Sequence, residues 1–213
     1  MRKLVLKMSM SLDGFVSGAD GSVEWIFQGQ DEAATRWTVA TISDASLHIM
    51  GSRTFYDMAA YWPTSKEIYA PPMNDIPKAV FTRKGLDPAR AGTTAALAQR
   101  NRANAAAGVV AAVPSAAIEE SWRHPYVAAG DMAGELTRLK AQDGRPIVAH
   151  GGAGFARSLI ATGLVDEYAL LIHPVILGKG LPIFTDVEAP RRLALAAIIP
   201  FPGGAAAHIY RAA

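Results

Sequence analysis

Three short stretches combine glycine with hydroxyl or cationic side chains in a way that suits phosphate. Ile49-Met50-Gly51-Ser52-Arg53-Thr54 leads from an apolar strand pattern into a helical one. The free N–H groups and dipole of a helix start attract an anion. Gly51 lets a ligand approach the backbone, Ser52 and Thr54 add hydroxyls, and Arg53 adds a charge-assisted fork. The same residues also suit an ordinary glycine turn with a hydroxyl N-cap. Ile147 to Phe155 repeats the pattern, with His150 just before Gly151, Gly152 and Gly154. It departs from the Rossmann fingerprint, because Arg157 stands where the third glycine belongs. Thr82-Arg83-Lys84 closes another apolar strand pattern. Two cations and a hydroxyl there suit the extra phosphate on the adenosine ribose of NADP, or simply a solvated basic turn. Three phosphate-compatible strand ends together predict a dinucleotide, and the Arg-Lys pair favours NADP over NAD.

Other polar residues offer less. Asp13 stands at the mouth of the first strand, as a reactive group or as the turn former of Asp-Gly. Trp25 can stack on a flat ring or close the core. Asp31 and Glu32 can supply protons or complement a helix dipole. The five histidines show no metal-ligand spacing, and His150 is notable only for its place beside a glycine loop. The chain has no cysteine, which excludes disulfides, thiolate metal sites and a thiol nucleophile. Twenty-one basic against nineteen acidic residues give a formal charge of +2 and no basic stripe for nucleic acid. No apolar run reaches the roughly 18 residues of a membrane span, so a cytoplasmic location is expected.

The elements that must position these residues alternate. Residues 2–10 put Leu4, Leu6, Met8 and Met10 on one strand face and Val5, Lys7 and Ser9 on the other. A helix is predicted over 31–45, a buried strand over 46–50 and a helix over 54–61 stopped by Pro63. Strands follow at 77–82, 126–129, 147–150 and 168–174, with helices over 131–142 and 155–162. Residues 86–121 are Ala-rich with weak periodicity, an insertion expected to be part helical and part mobile. Residues 193–199 and 207–211 form a terminal hairpin around Pro200 to Gly204. The order predicts one α/β domain over 1–213, with a mostly parallel sheet and an antiparallel edge.

These features resemble the dihydrofolate reductase-like superfamily, and most of all the branch holding the reductase domain of the riboflavin-pathway deaminase-reductase. The matching stretches are Met10-Ser11-Leu12-Asp13-Gly14, Trp25-Ile26, Gly51 to Thr54 and the long block from Pro146 to Phe184. The resemblance implies a three-layer α/β/α fold, often homodimeric, and an NADPH-dependent reductase acting on a small heterocycle. It implies that Gly51 to Thr54 and Gly151 to Phe155 cradle the cofactor phosphates, with Thr82 and Arg83 near the 2′-phosphate. Ser9 and Met10 would line the nicotinamide, and Asp13, Trp25 and His150 would face the substrate. Asp13, Glu32 and His150 are the candidate proton sources. His150 replaces the Glu that riboflavin-pathway reductases tend to carry before the double glycine. The zinc deaminase half needs cysteine ligands, so it is expected to be absent. A dihydrofolate reductase, or a protein that kept the cofactor cradle and lost the reaction, are the alternatives.

Overall fold

In the computed structural model, which describes residues 1–28, 31–87, 95–185 and 187–213, eight strands form one sheet. The strands are β1 (Leu4–Ser11), β2 (Leu47–Gly51), β3 (Lys78–Phe81), β4 (Tyr126–Ala128), β5 (Ile147–His150), β6 (Glu167–His173), β7 (Leu193–Pro200) and β8 (Ala206–Ala212). The helices are α1 (Glu32–Ser43), α2 (Ser52–Tyr61), α3 (Ala70–Asp75), α4 (Ala95–Ala106), α5 (Ala116–Arg123), α6 (Met132–Ala141) and α7 (Ala153–Ala161). Sheet order is β4-β3-β2-β5-β1-β6-β8-β7. The first six are parallel, while β8 runs antiparallel to both β6 and β7. The sheet, its mixed character and the terminal hairpin agree with the pattern in the sequence.

Paired residues in neighbouring strands project to the same face. Lys7 pairs with His150 on one side and Ala169 on the other. One face therefore carries Leu4, Leu6, Met8 and Met10 with Ile147 and Ala149. It packs on α6 and α7 through Leu136, Leu139, Ala156, Leu159 and Ile160. The opposite face carries Val5, Lys7, Ser9, His48, His150 and His173. Its covering helices contribute Ile42, Phe55, Met73 and Trp122, packed on Met50 and Val80. One layer is thus almost wholly apolar, and the other mixes core with buried polar groups.

Several boundaries differ from the sequence reading, for identifiable reasons. α3 was not legible, because Pro71 and Pro72 read as breakers; both occupy its first turn, where their missing N–H groups cost nothing. α7 starts at Ala153, so the glycine loop is shorter than the composition suggests. The Ala-rich insertion supplies α4 and α5, and its residues 88–94 lie outside the described residues. β7 is exposed along nearly its whole length, including Leu193, Leu195, Ile198 and Ile199.

Candidate active site

Because β3, β2 and β5 are neighbours, the three strand ends picked out by composition lie side by side. Local chemistry shapes them. α1, α5 and α6 are capped by the side chains of Asp31, Ser115 and Asp131. α2 and α7 instead begin after Gly51 and Gly152, with no side-chain cap. Their first-turn amides are left for another acceptor. The Thr54 hydroxyl donates to the Gly151 carbonyl at 2.6 Å and ties the two starts together. Gly152 has φ +156°, and a Cβ there would meet Thr54 Oγ1 at 2.9 Å. A Cβ on Gly51 would press on Phe155 at 3.2 Å, while Gly154 faces open space. Phe155 is half-buried against Phe81, ring centroids 5.6 Å apart. Arg53 and Arg83 are exposed, and Ser52 is half-buried. Thr82 serves its own turn, donating to the Gly85 carbonyl at 3.0 Å and accepting from the Lys84 amide at 3.2 Å. A bare, amide-rich cradle flanked by cations suits phosphate groups.

Ser9 and Met10 point to opposite faces. Met10 is buried in the apolar layer, whereas Ser9 is half-buried on the polar face beside Lys7. Two pairs of rings lie on that polar face. His48 and His150 meet edge to face at 4.5 Å, and Trp25 and His173 do so at 5.4 Å. Trp25 is buried on a 3-10 turn over Glu24–Ile26. His48 reaches the Ile42 carbonyl at 3.0 Å through Nε2. Its Nδ1, His150 Nε2, both nitrogens of His173, Trp25 Nε1 and Thr38 Oγ1 are buried without a partner. Buried polar atoms in proteins are normally paired, so each of these orphans leaves a position for a water or a polar ligand atom.

Electrostatics on this face are one-sided. Burial lowers the Lys7 ammonium to about 8. Burial lowers His48 and His173 to about 4 and His150 well below its ordinary value, and the Lys7 charge adds to the shift of His150 and His173. At neutral pH the face therefore presents three neutral imidazoles and two ammonium groups, Lys7 and Lys78, the second buried beside His48 and also lowered to about 8 by burial.

Two of the candidate proton sources already have partners of their own. Glu32 lies on the solvent side of α1, its side chain 84% exposed and paired with Arg36. Asp13 accepts from the Ser11 hydroxyl at 2.6 Å and from the Gly178 and Leu177 amides at 2.7 and 3.1 Å. Those bonds, that from Ser11 first, hold its carboxyl below the usual range. Asp13 is thus an anion that fastens the exit of β1 to the loop after β6. His150 is buried in the polar cluster, but as a neutral ring. Sequence reasoning missed Lys7, His48, His173 and Thr38. The available signal was a lone basic residue inside each otherwise apolar strand, as in Tyr168-Ala169-Leu170-Leu171-Ile172-His173.

The wider comparisons agree with this architecture. The chain is 26% identical to "Uncharacterized protein YyaP" of Bacillus subtilis (strain 168), over 98% of this chain and 94% of that one. Its fold matches that of a diaminohydroxyphosphoribosylaminopyrimidine deaminase/5-amino-6-(5-phosphoribosylamino)uracil reductase from Thermotoga maritima. That match has a TM-score of 0.64 and 18% identity, and covers all of this chain and 57% of the other. It also matches dihydrofolate reductase from Enterococcus faecalis, with a TM-score of 0.54, 13% identity, and 98% and 93% of the two chains. The fold is dihydrofolate reductase-like. The model of the RibD C-terminal domain matches residues 2–206, and the chain belongs to that family.

Proposed function

We propose that the protein is an NADPH-dependent reductase acting on a small heterocycle of the riboflavin-pathway kind. The observation that carries this reading is the pair of uncapped helix starts, α2 and α7, joined by Thr54 and floored by glycine. Gly51 to Thr54 and Gly151 to Phe155 would hold the cofactor's diphosphate. Thr82 would shape the turn that presents Arg83 to the 2′-phosphate. Ser9 and the backbone at Met10 would border the nicotinamide. When bound, NADPH supplies the hydride.

The chain's own residues do the rest. Trp25 and Phe155 offer apolar walls that exclude water. His150 and His173 offer nitrogen atoms for the ring's polar edge. Lys7 is the candidate proton source in place of Asp13 and Glu32, since the other cation on this face, Lys78, donates to the Asn74 carbonyl and the Ser121 hydroxyl. An ammonium lowered to about 8 stays mostly protonated near neutrality, yet releases its proton more easily than an exposed lysine.

Loss of NADPH absorbance with the aminouracil ribosyl phosphate, and none with dihydrofolate, is the expected outcome. Turnover of dihydrofolate alone would reverse the substrate assignment.

The exposed apolar edge β7 supports a homodimer built on that strand. Sedimentation at the mass of one chain would contradict it. A cytoplasmic site of action is proposed with the small-molecule chemistry; no helix among the described residues is long and apolar enough to cross a membrane.

A further inference from the structure

The loop between β1 and α1 is anchored in two different ways. Its first half is stitched to the loop after β6: Leu12 N–H donates to Val175, Val16 N–H to Leu181, and Leu181 N–H to Ser17. The second half carries Trp25, and there the support comes from the Ala-rich insertion. Gln99 on α4 accepts from the Val23 amide at 3.3 Å. One residue further, the Arg100 guanidinium lies over the rings of Tyr61, Phe27 and Trp62, at 4.7, 4.9 and 5.4 Å from their centroids. It is also paired with Glu67, which in turn accepts from the Tyr61 hydroxyl. Tyr61 and Trp62 belong to the scaffold at the end of α2, whereas Phe27 belongs to the loop, two residues from Trp25.

We infer that Arg100 is a positioning residue, and that α4 is the clamp that holds Trp25 over the substrate face. A planar guanidinium can stack on rings from two separate segments while its edge binds a carboxylate. That joins loop to scaffold with one side chain. The clamp touches neither cofactor cradle nor Lys7, so its effect falls on the substrate side alone. Its link to the reaction rests on the reductase reading above, but its mechanical part does not.

The test compares Arg100→Met, which keeps the stem and removes the fork, with Phe27→Leu, which removes the ring on the loop side. Amide exchange is followed in both, without cofactor or substrate. Both variants are expected to speed exchange over residues 19–28 by about tenfold or more, with β1 and β6 unchanged. NADPH affinity is expected to stay within about twofold. With a substrate that turns over, KM is expected to rise about tenfold while kcat changes little. Either variant leaving 19–28 unchanged overturns the inference. So does NADPH affinity falling in step with the loop, which marks a general loss of structure. Should Arg100→Met not fold, Phe27→Leu alone decides. Failure of the reductase reading leaves the exchange result standing.

Discussion

Lys7→Ala is expected to lower kcat/KM for the heterocyclic substrate by about 100- to 10,000-fold, the usual range for loss of a general acid. NADPH affinity is expected to change by no more than about twofold, because the cradle is built from glycines and helix-start amides and not from the Lys7 side chain. The pH profile is the sharper readout. A proton donor must enter the reaction charged, and burial places the Lys7 ammonium at about 8. Wild-type kcat/KM should therefore be level below that pH and fall as pH rises through it. The falling limb should be absent from Lys7→Ala. An unchanged alkaline limb in the variant would assign the proton to another group.

The second large effect is acid lability. His48 and His173 are lowered by burial from 6.5 to about 4. In the unfolded chain they take up protons near 6.5, while the folded chain resists until about 4. The unfolded state binds more protons across that window, so stability present above pH 6.5 is lost as pH falls towards 4. Each histidine accounts for about 3 kcal/mol at the acid end. Two such losses compare with a typical total stability of about 5–15 kcal/mol. His150, lowered in the same direction, adds to them. Urea midpoints measured near pH 7.5, 6 and 5 should decline steeply, before most carboxylates protonate. A flat profile over that range would show that these rings are solvated in the folded chain.

The sheet was readable because its strands are apolar and bounded by glycine, proline or charge. Leu4, Leu6, Met8 and Met10 share the buried face that their alternation predicts. The meeting of the glycine-bearing strand ends was readable for a related reason. Glycine at a strand end followed by a hydroxyl is a local pattern, and the parallel order then places such ends together. The substrate side is not local. Lys7, His150 and His173 come from three strands, and only the register brings them onto one face. In sequence, Lys7 reads as the solvent side of an alternating strand. In the fold, that side is covered by helices. Glu32 lies on the outer side of α1, where it pairs with Arg36. The clamp at Arg100 lay hidden because an alanine-rich helix carries almost no apolar rhythm, and its anchoring is ionic and aromatic.

The central claim is that the β3, β2 and β5 ends bind NADPH. Calorimetric titration of NADPH and NADH into the wild type, Arg83→Ala and Gly152→Val tests it most directly. The wild type should prefer NADPH by about 10- to 100-fold, the worth of a charge-assisted contact to one phosphate. Arg83→Ala should lose most of that preference and leave NADH binding unchanged. Gly152→Val should weaken both cofactors by about 100-fold, since φ +156° is strained for valine and its side chain enters the cradle against Thr54. Absence of saturable NADPH binding to the wild type, or full affinity in Gly152→Val, would contradict the account.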